Sequence, residues 1–197
     1  MKFGARLSRR LSRKELYIGI GDASGAIGIE CGTKTRGPDM HTSHLDLPAH
    51  IRKNAIALLQ ARLSDALDLE AQSKQAHWNV KGRDFFQLHE LFDKIHDEVE
   101  EFVDVIAERI TTLGGIADGR VQTTARATCL YEYALEARGG EAHLKAIASA
   151  LAQFGKAVRA NIDAAAEFGD ADTADLFTGV SREADKQLWL VEAHLAE

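Results

Sequence analysis

Residues 74–93 read KQAHWNVKGRDFFQLHELFD, and this stretch decides the fold because one amphipathic segment ends in it and another begins. Apolar residues recur at helical spacing over residues 47–80 and again over residues 85–110. Between the two segments, Lys81-Gly82-Arg83-Asp84 interrupts the pattern, and Asp84 is placed to cap the second segment. The sequence therefore predicts two long helices joined by a short turn.

Two further helical segments follow after a long connection. The second helix is predicted to stop at Leu113-Gly114-Gly115, since glycine favours a helix end. In the polar connection that follows, residues 131–137 are predicted to form a short extra helix. Helix three is expected over roughly residues 141–168 and helix four over roughly residues 173–194. Four long helices with one long crossover between the second and third describe an all-α, ferritin-like four-helix bundle.

The chain before the helices has a different composition. Residues 1–39 hold seven of the sixteen glycines, with eight Lys or Arg against four Asp or Glu. We predict that residues 1–46 form a basic, Gly-rich, disordered N-terminal extension and residues 47–197 the helical domain. A second interpretation is that translation starts at Met40 and that the preceding residues are a misassigned extension.

Charge and cysteine content limit the function classes. Residues 40–197 carry sixteen Lys or Arg against 26 Asp or Glu, which argues against broad nucleic-acid binding by the folded part. Cys31 and Cys129 lack zinc or disulfide spacing and favour a reducing compartment. No stretch approaches the roughly 18 to 20 apolar residues of a membrane span. We therefore expect a cytoplasmic protein without a membrane partner, with nucleoid association left open.

Five side chains on the first two helices could bind metal, namely His77, His89, Asp93, Asp104 and Glu108. At about 100° per residue, Asp93, Asp104 and Glu108 lie roughly 40°, 60° and 100° around the helix from His89. These three residues and His89 therefore share one stripe of helix two. His89 and Asp104 are nevertheless about 22 Å apart along the axis, whereas metal–ligand bonds measure about 2 Å. The ligands of one chain therefore cannot all bind the same ion. Two antiparallel copies of helix two, related by a two-fold axis, would bring the His89–Asp93 end of one copy to the Asp104–Glu108 end of the other.

His77 lies near the end of helix one and is expected to meet His89 and Asp93 across the turn. Histidine and carboxylates with open positions suit Fe(II) or Mn(II), and also bind zinc. A single histidine or an isolated acidic pair is more often a core or solvated group. The prediction of a metal site therefore depends on all five residues sharing one surface.

The quoted stretch resembles the K-Q-A-H-W-N-x-x-G…H-E-x-x-D signature of the Dps family. Further similarity appears at residues 104–109, 113–115, 172–175, 181–182 and 188–189, so the resemblance covers roughly residues 50–197. It implies a homo-oligomer, a dodecameric shell, with ferroxidase centres at two-fold interfaces. One subunit would supply His77, His89 and Asp93, and its neighbour Asp104 and Glu108, as metal ligands and catalytic residues.

The resemblance also implies the reaction. Members of the family oxidise Fe(II) with hydrogen peroxide and store ferric mineral inside the shell, which protects DNA from oxidative damage; iron is the metal and no haem is involved. Trp78 corresponds to a tryptophan beside the centre, although an aromatic wedge at the helix turn explains it equally well. Glu167, Asp170 and Asp172 resemble an acidic pore region, or form a solvated acidic turn that caps helix four.

Two other functions compete with this interpretation. A conventional ferritin or bacterioferritin is disfavoured because no histidine has Glu three residues before it, and the body offers no methionine pair for haem. A DNA-condensing nucleoid protein would act through the basic tail on a multivalent shell. The residues available for DNA contact there are Lys2, Arg6, Arg9, Arg10, Arg13 and Lys14.

Overall fold

Five helices make up the regular structure of residues 40–196, the part of the chain that the computed structural model describes. They are α1 (Ala49–Asn79), α2 (Phe85–Thr112), α3 (Val121–Ala127), α4 (Gly139–Phe168) and α5 (Ala171–Glu192). Between residues 40 and 196 there is no strand, which confirms the all-α class. The predicted N-terminal extension lies almost entirely outside the described residues.

The α1–α2 hairpin confirms the prediction made from residues 74–93. Pro48 occupies the N-cap position of α1, and its carbonyl accepts the N–H of Arg52 at 3.1 Å. Gly82 has φ +125° in the turn, a conformation that side chains other than glycine rarely adopt. Asp84 occupies the N-cap position of α2, as predicted. Its side chain makes no capping hydrogen bond, so the prediction that this side chain caps the helix is wrong.

The core lies between this hairpin and a second one formed by α4 and α5. Phe92 of α2, Phe154 of α4 and Phe177 of α5 are fully buried. Phe102 stacks on Phe154 with ring centroids 6.0 Å apart. Burying one such side chain stabilises the fold by about 1.5–3 kcal/mol. The aromatic contacts therefore fix α2, whose other face carries the predicted ligands, against the second hairpin.

The crossover of residues 113–138 contains a short helix, but in a different place from the prediction. Residues 131–137 are not helical, and α3 is formed by Val121–Ala127 instead. The reason is that neighbouring helices take up the backbone groups of Tyr131. Its N–H donates to Gln153 Oε1 at 3.2 Å, and its carbonyl accepts from Gln72 Nε2 at 3.0 Å. In a helix starting at residue 131 this carbonyl would accept the N–H of Leu135, so the contact with Gln72 competes with the first helical hydrogen bond.

Side chains of α1 hold the crossover at two further points. Gln60 exchanges two hydrogen bonds with the backbone of Asp118, at 2.9 and 3.0 Å. Asp65, buried beside Arg62, accepts the N–H of Cys129 at 2.8 Å. Burial raises the pKa of Asp65, while Arg62 and this hydrogen bond act in the opposite direction. The crossover is thus fastened along α1 rather than left as an open loop.

None of the helices described between residues 40 and 196 combines the length and the apolar character needed to cross a membrane.

Candidate metal centre

His77 and His89 face each other across the turn between α1 and α2. Their rings stack with centroids 3.6 Å apart and an interplanar angle of 21°. Each imidazole Nδ1 lies within hydrogen-bond distance of the other residue's backbone carbonyl, His77 to His89 at 2.8 Å and the reverse at 2.9 Å. The two histidines predicted to meet are therefore brought together by a reciprocal pair of contacts.

These contacts determine which nitrogen of each ring can bind a cation. A carbonyl oxygen only accepts hydrogen bonds, so Nδ1 must carry the proton and donate it. In the neutral ring, Nε2 is then left with a free lone pair. Metal-binding histidines typically have this arrangement, with the second ring nitrogen oriented by a carbonyl or a carboxylate. Both imidazoles thus have the tautomer that a metal ligand requires.

Asp93 lies one helical turn after His89, and its carboxylate is paired with a lysine. Lys74 Nζ of α1 contacts Asp93 Oδ1, and His77 Nδ1 lies 3.7 Å from the same oxygen. The hydrogen bond from Lys74 is the main cause of the lowered pKa of Asp93, with a smaller contribution from His77 against the opposing effect of desolvation. Asp93 is thus held ionised next to the His77 imidazole and is paired with the ammonium group of Lys74.

The structure places Asp104 and Glu108 on the exposed part of α2, separate from the histidines. Glu108 contributes its backbone carbonyl to Thr111 Oγ1 at 2.8 Å, which leaves the carboxylate out of that contact. The structure thus places His77 against His89 and 3.7 Å from Asp93, although the ligand atoms of these three side chains do not all lie within 4.8 Å of one another, and it leaves Asp104 and Glu108 as an exposed pair. Whether a second chain joins them stays a prediction.

Exposed aromatic side chains lie at the ends of α1 and α2, close in sequence to the two histidines. Trp78 is 68% exposed and Phe86 69% exposed, while Phe85 lies over His89 with ring centroids 5.1 Å apart. Trp78 is therefore not a buried wedge in this chain. Large apolar side chains grouped on a surface are typical of a protein interface.

Another cluster of potential ligands was missed in the sequence. Within residues 40–196, the one group of three or more His, Cys, Asp or Glu side chains with all ligand atoms within 4.8 Å of one another is His96, Asp97 and Glu100. The spacing could have revealed it, because His96 and Glu100 are four residues apart and share the stripe of His89.

The acidic turn before α5 has a structural role at one of its three residues. Asp170 is buried, accepts the N–H of Thr173 at 3.1 Å and pairs with Arg109 Nη2 at 2.8 Å. It caps α5, as one of the two interpretations expected, but it is not solvated. Glu167 and Asp172 are exposed, so only these two remain candidates for an acidic pore.

Comparison with known proteins agrees with the geometry. The family model described as "Ferritin-like domain" matches residues 56–197. A "DNA protection during starvation protein" from Agrobacterium fabrum is 38% identical over 157 residues, which cover 80% of this chain and 97% of the relative. These matches define the class of protein as ferritin-like.

Solved structures indicate which family of the ferritin-like class this chain resembles. DpsC from Streptomyces coelicolor superposes with a TM-score of 0.78 at 28% identity, covering 84% of this chain and 97% of its own. Dps from Microbacterium arborescens, solved in a high iron form, gives a TM-score of 0.71 at 32% identity, covering 79% and 100%. The chain belongs to the Dps family of ferritin-like proteins.

Proposed function

We propose that this protein is a Dps-type ferroxidase and iron-storage protein of the cytoplasm. It would oxidise Fe(II) with hydrogen peroxide, keep the ferric product as mineral inside a dodecameric shell, and so protect DNA from oxidative damage. The observation that carries the proposal is the stacked pair His77 and His89, both held with Nε2 free, with the ionised Asp93 next to His77. Nitrogen and oxygen ligands of this kind suit Fe(II).

The second half of each centre would come from a neighbouring subunit. The His89–Asp93 pair and the Asp104–Glu108 pair lie on one stripe of α2, about 22 Å apart. Antiparallel packing of two α2 helices about a two-fold axis would place each group opposite the other's complement. The exposed Trp78, Phe85 and Phe86 support this arrangement, because such an interface would cover them.

Iron is the substrate of the proposed reaction. When Fe(II) arrives, Asp93 would exchange its contact with Lys74 for a bond to the ion. Two Fe(II) ions each give one electron to hydrogen peroxide, whose O–O bond breaks to yield two hydroxide ions. Because the peroxide takes both electrons in one centre, no hydroxyl radical is released. Glu108 is the proposed bridging carboxylate between the two iron positions.

The choice of oxidant can be tested directly. The purified shell would be loaded anaerobically with Fe(II), and hydrogen peroxide or oxygen would then be added while ferric product and hydroxyl radical are monitored together. The proposal predicts fast peroxide-driven oxidation at about two Fe(II) per peroxide, with little radical. Negligible oxidation by peroxide alongside ready oxidation by oxygen would instead indicate an oxygen-using iron store.

A further inference from the structure

The cluster of His96, Asp97 and Glu100 lies in the middle of α2, between the two halves of the proposed ferroxidase centre. Seven residues, about 10 Å along the helix axis, separate His96 from His89. Glu100 precedes Asp104 by four residues, about 6 Å. A cation held by this cluster would therefore be distinct from one bound by His77 and His89.

The surroundings of His96 favour metal binding. Its Nδ1 lies 3.4 Å from the backbone carbonyl of Glu70 on α1 and 3.9 Å from that residue's carboxylate Oε1. Both neighbours are acceptors, so they favour the proton on Nδ1 and leave Nε2 for a ligand bond. The side chain of His96 is only 16% exposed, which restricts its orientation.

We propose that His96, Asp97 and Glu100 form a second binding site for a first-row divalent cation such as Zn²⁺ or Mn²⁺. One imidazole nitrogen and two carboxylate oxygens, all within 4.8 Å of one another, supply three ligands from a single helix. This donor set suits Zn²⁺, Mn²⁺ and Fe²⁺. Water or a second chain would occupy the remaining coordination positions.

If the proposed function is correct, this site lies at the contact between the two subunits of the proposed dimer. The midpoint between the His89–Asp93 and Asp104–Glu108 pairs falls near Glu98, so the proposed two-fold axis would pass close to the cluster. Two copies of Asp97 and Glu100 would then approach across the axis. A bound cation would offset the repulsion between these carboxylates and stabilise the dimer contact. The three-ligand site itself does not depend on this step.

Zn²⁺ binding to the full chain tests the site. The background variant H77A/H89A removes the histidines of the proposed ferroxidase centre, and equilibrium dialysis would then measure Zn²⁺ per chain. Adding His96→Ala should weaken the remaining binding by at least about tenfold. Adding His194→Ala instead should leave the remaining Zn²⁺ binding unchanged, since His194 is an exposed histidine beyond the end of α5. Equal affinities in the two triple variants would overturn the proposal.

A second measurement covers the case in which the background variant fails to assemble. Crystals of the unmodified protein soaked in Zn²⁺ should give an anomalous peak among His96, Asp97 and Glu100, and the D97N/E100Q variant should lose that peak. A peak confined to the region of His77 and His89 would reject the second site. It would leave the proposed ferroxidase function standing, because that function needs no metal at His96.

Discussion

At the residue scale, the candidate centre depends on how two imidazoles are oriented. The turn of residues 80–84 was enough to predict that His77 and His89 meet, because a short turn returns the chain beside itself. The sequence could not predict that each ring would donate to the other's carbonyl, since that requires the register of the two helices. Nor could it predict that Lys74 would pair with Asp93.

Glu108 provides the most specific test of a single ligand. Glu108→Ala should reduce the rate of Fe(II) oxidation at least about tenfold while leaving the assembled mass of the shell unchanged, because the Glu108 side chain is exposed on α2. Stopped-flow kinetics with size-exclusion chromatography would measure both. The control is Glu192→Ala at the end of α5. Unchanged oxidation kinetics in an intact Glu108→Ala shell would reject the assignment.

His143 should make stability depend on pH. It is buried in α4, where its Nδ1 lies 2.5 Å from Tyr133 Oη. Burial lowers its pKa below the ordinary value of 6.5, so below pH 6.5 the unfolded chain binds more protons than the folded one. The stabilisation is present above pH 6.5 and is lost as the pH falls.

Urea unfolding of His143→Gln over this pH range would measure the effect. The variant should lose part of the decline in unfolding free energy between about pH 7 and pH 5. The exposed-histidine control His194→Gln should keep the decline. If His143→Gln and the unmodified protein show the same pH slope, burial of this imidazole does not control acid stability.

At the scale of the elements, periodicity predicted the four long helices well and the crossover poorly. The observed ends of α1 and α2 agree with the prediction to within about one residue, because Pro48, Gly82 and Gly114 are strong local signals. In the crossover, the hydrogen bond that Tyr131 donates to Gln153 and the one that it accepts from Gln72 override the local preference of residues 131–137. Such long-range contacts are absent from any window of sequence.

The start of α5 offers a matched pair of substitutions. Asp170→Ala should lower the unfolding free energy by about 3–5 kcal/mol, because it removes the cap and leaves Arg109 without its buried partner. Asp172→Ala, two residues away and 83% exposed, should change it by less than about 0.5 kcal/mol. Denaturant unfolding would compare them. Similar values for both would show that the Asp170–Arg109 pair does not anchor α5.

At the scale of the whole molecule, the family and the fold could be recognised from the signature in residues 74–93, whereas the assembly could only be inferred. The separation of the two ligand groups along α2 is a property of one chain. The need for a second subunit follows from it together with the short reach of metal–ligand bonds. The His96 cluster matches no part of that signature.

The basic residues near the N-terminus are the predicted DNA contact. Residues 40–197 have a net charge of about −10, so a chain starting at Met40 should shift DNA weakly or not at all. A chain starting at Met1 should retard DNA at low salt and lose that retardation as salt rises. Gel shifts at two salt concentrations would compare the two chains. Equal retardation by both would rule out the tail as the DNA contact.

Mixed shells test the central claim that each ferroxidase centre is built from two chains. H77A/H89A and D104A/E108A subunits would each be inactive alone. Co-expressed at equal amounts, they should restore about one quarter of the unmodified ferroxidase rate, since half of the dimers are mixed and each mixed dimer has one intact centre. No recovery in shells shown by mass spectrometry to contain both subunits would contradict the shared centre.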